Sequence, residues 1–189
     1  DNVVTEIKER LGANAVPIQL PIGSEDGFEG VIDLLTRQAL FYTGNLDDAP
    51  EVRAVPEELV AAVDEARDRL VAAIADLDDG IAEKYLEGAE IPLAELKAAL
   101  RRAVIAVKIV PVLAGTALRN KGIHPLLDAV IDYLPAPTDV PPVTGVDPRN
   151  TTEKLQRLPK NSEPLAALAF KIAMDEGRNQ ITEFADHRD

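Results

Sequence analysis

Cysteine is absent from the sequence, which excludes structural disulfides, thiolate metal sites and cysteine nucleophiles. Tryptophan is absent as well, and aromatic residues make up only 4% of the chain. Because 46% of the residues are nevertheless hydrophobic, the core must be built mainly from valine, isoleucine, leucine and alanine. The 189 residues are enough to bury such a core in one or two compact units.

Long apolar runs are also missing. No stretch approaches the roughly 20 apolar residues of a membrane span, and no basic segment followed by an apolar one opens the chain. We therefore expect a soluble protein that does not contact a membrane. The chain starts at Asp1, without methionine and inside a helical pattern, so we interpret it as an internal piece of a longer protein.

Positive charge is scarce. The formal net charge is -13, and residues 44–90 alone carry 14 acidic and four basic residues. Such a field repels a phosphate backbone, so we do not expect this region to bind nucleic acid directly. Acidic helices usually form solvated surfaces, and the alternative is a surface that binds a partner. The candidate partner-binding residues are Glu58, Glu65 and Asp68.

The first half of the chain predicts a small antiparallel sheet. Gly12 ends the opening helical pattern, and Val16–Ile22 predicts an edge strand because it contains two prolines. Gly30–Leu35 and Gln38–Tyr42 follow the glycine-rich turn GSEDGFEG and predict one or two further strands. Together with the helices that come next, they predict an α+β subdomain.

Three helical patterns follow. The first begins at Pro56, and its apolar stripe comprises Leu59, Val63, Leu70, Ile74 and Leu77. Ile81–Leu86 predicts a short helix that ends at Gly88, and Leu93–Val107 predicts another. The basic residues predicted on the outer side of this last helix are Lys97, Arg101 and Arg102.

The segment Val110–Gly122, which reads VPVLAGTALRNKG, joins a predicted buried strand to a helix start. The apolar run stops at Gly115, and an apolar helical period resumes over Ile123–Leu134. In open α/β sheets such loops lie at the carboxyl edge of the sheet, where ligands bind. An ordinary turn is the alternative, since small residues at a loop tip are weak evidence by themselves.

Several strings resemble the elongation factor G family of bacterial ribosomal translocase GTPases. They are RLGANAVPIQLPIG (10–23), FEGVIDLL (28–35), EKYLEG (83–88), NKG (120–122), LLDAVIDYLPAP (126–137), DVPPV (139–143) and PLAALAFKIA (164–173). The resemblance covers about residues 2 to 173. It implies that Gly115, Thr116, Ala117 and Leu118 form the loop whose backbone amides contact the guanine base, with Thr116 in place of the usual serine.

The resemblance also implies a fold. An α+β inserted subdomain, a small antiparallel sheet with helices, would be attached to the C-terminal strand and helix of a P-loop-type α/β GTPase domain. The implied segments are 1–12 for a GTPase-domain helix, 13–107 for the insertion, 108–135 for the end of the GTPase domain, 136–163 for a proline-rich linker and 164–189 for an incomplete β-barrel domain. Since the match ends after PLAALAFKIA, we expect a single strand and then a tail that is either loosely ordered or taken up by a neighbour, and in which only Ile181 and Phe184 are apolar anchors.

The implied activity is GTP hydrolysis that drives ribosomal translocation in the cytoplasm. The partner is the ribosome, including its stalk protein, which the insertion contacts in this family. The basic residues at 97, 101 and 102 form either a solvated face or a ribosome-facing patch. A ribosome-recycling paralogue would look similar, and a non-enzymatic acidic interaction module is the alternative from another class.

The motifs of phosphate chemistry are missing. No GxxxxGK[ST] string occurs, and the Asn120-Lys121 pair is followed by Gly122 and Ile123, so it cannot supply the aspartate of an NKxD motif. The resemblance implies that these parts, including the Mg²⁺ ligands, precede this segment. We therefore expect no catalytic residue here.

No metal site is expected either. The string Asp76–Gly80 has the acids and glycine of a calcium loop, but Leu86 stands where an EF-hand needs its bidentate glutamate. We interpret this string as a solvated helix end. His124 and His187 have no other ligand at a suitable spacing.

The isolated chain should not hydrolyse GTP above the background rate, because it lacks the phosphate-binding loop and the NKxD aspartate. A base-contacting loop cannot replace either. Single-turnover hydrolysis of GTP by the purified chain, with and without ribosomes, measures this. Genuine turnover would contradict the assignment of catalysis to another segment.

Overall fold

The computed structural model describes residues 2–43, 49–147, 149–174 and 180–186. The chain divides into two compact units, Asp1–Leu134 and Pro135–Asp189. Its described helices are α1 (Asn2–Leu11), α2 (Val60–Ala75), α3 (Asp79–Leu86), α4 (Leu93–Ile105) and α5 (Ile123–Tyr133). Its described strands are β1 (Ala15–Pro17), β2 (Gln19–Ile22), β3 (Gly30–Asp33), β4 (Gln38–Phe41), β5 (Glu51–Arg53), β6 (Val110–Val112), β7 (Val143–Asp147), β8 (Asn150–Arg157), β9 (Ala167–Met174) and β10 (Gln180–Asp186). The predicted α+β class is confirmed.

A parallel pair of strands, β1 and β6, joins distant parts of the first unit. Ala15 lies opposite Val110, and Pro17 lies opposite Val112. At the start of the pair, the Asn14 side-chain amide donates to the Lys108 carbonyl at 2.8 Å, while the Asn14 carbonyl accepts from the Val110 amide at 2.9 Å. These contacts close the segment from β2 to α4 into a loop with adjacent ends.

The other sheet is antiparallel, with the strand order β2-β3-β4-β5. The strand predicted over Val16–Ile22 is in fact two strands that belong to different sheets. Ile18 is the switch point: its amide donates to the Val112 carbonyl and its carbonyl accepts from the Leu34 amide, both at 3.0 Å. The edge position predicted from the prolines is confirmed, because β2 is the first strand of its sheet.

Helices α2, α3 and α4 cover this sheet with aliphatic side chains. The buried residues of α2 are Val63, Ala66, Leu70, Val71 and Ile74. Those of α4 are Leu96, Ala99, Leu100 and Ala103. Leu77, which the sequence places on the α2 stripe, lies beyond the end of the helix and is 44% exposed. Leu59, just before the helix, packs against the core, so the predicted stripe fails only at Leu77.

A half-buried arginine ties α2 to the turn that follows β3. The Arg67 guanidinium donates to the carbonyls of Leu34 and Leu35, the latter at 2.7 Å. Its burial lowers its pKa, and the nearby Arg37 lowers it further. The turn it holds is closed by the Asp33 carboxylate, which accepts from the amides of Leu35 and Thr36 at 2.7 and 2.9 Å.

The acidic string after α2 begins the next helix. Asp78 is the N-cap of α3 and accepts from the Ile81 amide at 3.2 Å. Its carboxylate also pairs with Arg102, whose hydrogen bond holds the Asp78 pKa below its ordinary value.

The predicted outer side of α4 is partly wrong. Two of its three basic residues, Lys97 and Arg101, face α5 and bond to Asp132, the first to its carboxylate and the second to its carbonyl, each at 2.7 Å.

The second unit contains more strand than predicted. Strands β7 and β8 form an antiparallel hairpin inside the segment 136–163, which the sequence presents as a linker. Strands β9 and β10 also pair antiparallel, with Gln180 opposite Met174 and Asp186 opposite Ala167. The expectation of a single strand followed by a loose tail is therefore wrong. Residues 175–179 and 187–189, including His187, lie outside the described residues.

Among the described residues, no helix combines the length and apolar character needed to cross a lipid bilayer.

Candidate functional site

The predicted base loop starts directly after β6. The Ala114 amide donates to the side-chain carbonyl of Gln19 at 3.4 Å. Gln19 is only 5% exposed and is the one polar side chain in the described part of the core. The start of the loop is therefore held by Gln19, the first residue of β2, at the point where β6 ends.

Two backbone hydrogen bonds close the loop. The Thr116 amide donates to the Lys121 carbonyl at 2.8 Å, and the Lys121 amide donates to the Thr116 carbonyl at 3.1 Å. The residues between them form a single 3-10 turn, Ala117–Arg119, which ends at Asn120 in the left-handed region with φ of 50°. The loop is thus a compact six-residue ring with a defined tip.

Glycine is required on both sides of this ring. A Cβ on Gly115 would lie 2.8 Å from the Lys121 carbonyl oxygen, and one on Gly122 would lie 2.6 Å from the Ala114 carbonyl oxygen. Gly122 also has a φ of +82°, which side-chain-bearing residues rarely adopt. The two glycines therefore let the entering and leaving segments of the ring touch.

The tip offers backbone donors. The first amides of a helical turn have no partner within the turn, and no loop or cap hydrogen bond of the described residues engages those of Ala117 and Leu118. Both residues are exposed, and the Leu118 side chain is 93% exposed. Two adjacent amides at an exposed tip can bind a carbonyl oxygen such as that of a purine base. All four predicted residues, Gly115, Thr116, Ala117 and Leu118, lie in this one loop.

The loop is also anchored to the turn between β2 and β3. The Lys121 ammonium donates to the Phe28 carbonyl at 2.7 Å. The Arg119 guanidinium donates to the Asp26 carboxylate at 2.5 Å and to its carbonyl at 3.2 Å. The sequence does not predict these contacts of Lys121 and Arg119, because the string GSEDGFEG predicts only a turn.

Tyr42, next to β4, approaches the same region. Burial raises the pKa of its hydroxyl, and the nearby backbone of Gly122 offsets part of that rise. Even so, no group of the described residues is placed to form a hydrogen bond of normal geometry with this buried hydroxyl. Gly122 therefore packs between Ala114 on one side and the antiparallel sheet on the other.

The candidate partner-binding acids lie on or next to α2. Glu58 is in the 3-10 turn Glu57–Leu59 before the helix and is exposed. Glu65 pairs with Arg69 one turn later at 2.9 Å. Asp68 accepts from the Tyr85 hydroxyl at 3.0 Å, and this bond raises the Tyr85 pKa. Two of the three acids therefore already have partners within the chain.

Within the ranges that the structure describes, no three histidine or acidic side chains come together in a way that could hold a metal ion.

No protein-family model matches the chain. Among solved structures, a crystal structure of a protein from Thermus thermophilus is similar to the whole of the chain, with a TM-score of 0.72 and 26% sequence identity. The chain covers 25% of that protein, so it spans about a quarter of the length of the structure it matches. The fold described above therefore occurs as one part of a longer protein.

Gly122→Ala should destabilise the first unit more than Gly12→Ala. Both glycines have positive φ, of +82° and +62°, so both variants lose about 1 to 2 kcal/mol to backbone strain. Only the Gly122 variant adds a clash, because nothing lies within 4 Å of a Cβ on Gly12. Its additional cost should be about 1 to 3 kcal/mol. Urea unfolding followed by circular dichroism measures the difference, and equal losses would show that the ring does not need the close approach.

Proposed function

We propose that the chain is part of a translational GTPase similar to elongation factor G, and that it contributes the guanine-contacting loop and the inserted subdomain. The observation that carries this proposal is the ring from Thr116 to Lys121, which follows a strand of a parallel pair and presents the amides of Ala117 and Leu118 at its tip. The resemblance of the sequence assigns the same residues to the guanine base.

The proposal accounts for the surroundings of β1 and β6. Parallel sheets are normally covered on both faces and contain more than two strands, and these two strands form a sheet of their own among the described residues. The apolar residues exposed on and just after α5 are Leu126, Leu127, Val130, Ile131 and Leu134. In the proposed protein, the remainder of an α/β GTPase domain extends this sheet and covers these side chains.

The motifs present and missing in the chain decide which part of GTP binding and hydrolysis it supplies. The loop recognises the base and contributes no chemistry to the phosphates, which need a P-loop, a Mg²⁺ ion and a positioned water. We assign those parts to segments outside this chain. The proposed protein hydrolyses GTP in the cytoplasm and moves tRNA and messenger RNA through the ribosome.

The inserted subdomain is proposed to contact the ribosomal stalk protein through its acidic surface. Long-range attraction by such a surface acts mainly on the association rate and is screened beyond about 8 Å at physiological salt. The self-contained fold of the insertion, whose ends meet at Asn14 and Lys108, supports a module that binds a partner without disturbing the parent sheet. The same self-contained fold is compatible with a purely non-enzymatic interaction module, which is the competing function.

In the full-length protein, Ala117→Pro should weaken GDP binding, because proline removes the amide that meets the base. The fold should tolerate the change, since Ala117 is the first residue of its 3-10 turn and Thr116 before it is extended, with φ of -130° and ψ of 106°. Losing such a contact costs about 1 to 3 kcal/mol, or about 5- to 140-fold in affinity. Titration with a fluorescent GDP analogue measures it.

Ala117→Ser is the matched control, because serine keeps the amide and adds only a small side chain. Parent and control should bind GDP alike. Equal affinity of the proline variant would remove Ala117 from the base site. A full-length parent protein that does not bind GDP at all would favour the interaction module instead.

Replacing Glu58, Glu65 and Asp68 together by Gln, Gln and Asn should reduce ribosome-stimulated GTP hydrolysis at low salt. Asparagine can still accept from the Tyr85 hydroxyl, so the packing of α2 against α3 should persist. Intrinsic hydrolysis should not change, because these residues lie outside the base loop. The matched control removes three acids elsewhere, at Glu6, Glu9 and Glu153. If both triple variants have the salt profile of the parent, the acidic surface is only solvated.

A further inference from the structure

Lys121 makes three hydrogen bonds, two within the base loop and one that leaves it. Its amide and its carbonyl both bond to Thr116 and close the ring. Its side chain leaves the ring and donates to the Phe28 carbonyl at 2.7 Å, in a half-buried position between residues 93 apart in sequence. One residue therefore both closes the ring and attaches it to the inserted subdomain.

The second anchor is weaker. Arg119 reaches Asp26, but the Asp26 side chain is 96% exposed and Arg119 is 46% exposed. Water and salt screen such a surface pair, whose net contribution is small. The bond from Lys121 to Phe28 is shielded, and its charged donor makes it stronger than a neutral hydrogen bond. Phe28 itself is only 9% exposed, so the acceptor belongs to a buried residue.

The position of the tip depends on this bond. The amides of Ala117 and Leu118 can meet a base oxygen only if the ring keeps one orientation, and a positioning error of a few tenths of an ångström weakens a hydrogen bond. Gln19 fixes the entrance of the ring through Ala114, at the rather long distance of 3.4 Å. The exit of the ring is fixed by the Lys121 side chain and the start of α5.

We propose that Lys121 is a positioning residue for recognition of the purine C6 oxygen, and that through it the inserted subdomain sets the orientation of the base loop. This inference rests on the proposed function. It assigns to the turn between β2 and β3 a role in nucleotide affinity, although this turn touches no nucleotide. By thermodynamic reciprocity, a partner that moves this turn changes GDP affinity, and GDP changes the affinity for that partner.

The test uses Lys121→Met in the full-length protein, since methionine keeps most of the length and apolar volume of lysine but cannot donate. We expect the affinity for GDP to fall about five- to tenfold, at the low end of the range typical of coupling between sites. A merely structural role would lower stability without changing base discrimination. The decisive measurement is therefore the ratio of affinities for GDP and for the diphosphate of 2,6-diaminopurine riboside, which carries an amino group in place of the C6 oxygen.

The preference for GDP should fall in Lys121→Met and recover in Lys121→Arg, which restores a charged donor. Lys84→Met is the matched control, because Lys84 also bridges two elements of the insertion, through Glu95, but lies away from the loop. Should the methionine variant fold poorly by urea unfolding, Lys121→Leu, which also cannot donate, is measured in its place with the same expected loss.

An unchanged preference in folded Lys121→Met, with GDP binding intact, would overturn the positioning role and leave the proposed function standing. An equal fall in Lys84→Met would also overturn it, since the effect would then belong to the insertion in general. If the parent protein shows no binding of GDP, the proposed function and this inference fail together.

Discussion

The pairing of β1 with β6 is the constraint on which the rest of the first unit depends. Three residues on each strand bring together the two ends of the segment from β2 to α4, and Asn14 completes the join with both its side chain and its carbonyl. The same pairing ends β6 beside Gln19, which holds the entrance of the loop after β6. Without it, the position of this loop relative to the four-stranded sheet would depend on the side-chain contacts of Arg119 and Lys121.

Much of the fold follows from local patterns in the sequence. The apolar stripe of α2, the glycine-rich turn before β3 and the break at Gly88 each act over a few residues, so they predict elements correctly. Val16–Ile22 could not be divided from its pattern, because both halves are buried strands and only their partners differ. Ile18 makes the division by bonding to Val112 on one side and Leu34 on the other, and neither partner is close to it in sequence.

Contacts between residues distant in sequence also could not be predicted for the site. Small residues between a strand and a helix predicted the ring at Gly115 to Leu118, but the anchor of that ring is a backbone carbonyl, at Phe28, which any residue could supply. Lys97 and Arg101 looked solvent-facing because their partner helix, α5, lies about 30 residues further along the chain. The Glu65–Arg69 pair has helical spacing, whereas the Tyr85 bond to Asp68 depends on how α3 packs on α2.

The strand order β2-β3-β4-β5 has a consequence for the order in which the chain acquires its structure. Each strand of this sheet pairs with its neighbour in sequence, so the sheet can form from short-range contacts while synthesis is still in progress. Strand β1 is made before any of them, yet its partner β6 is made after α4. Once the segment from β2 to α4 is compact, its ends are already close, and the entropy lost in closing the long connection between β1 and β6 is correspondingly smaller. The folding of this segment thus lowers the entropic cost of pairing β1 with β6.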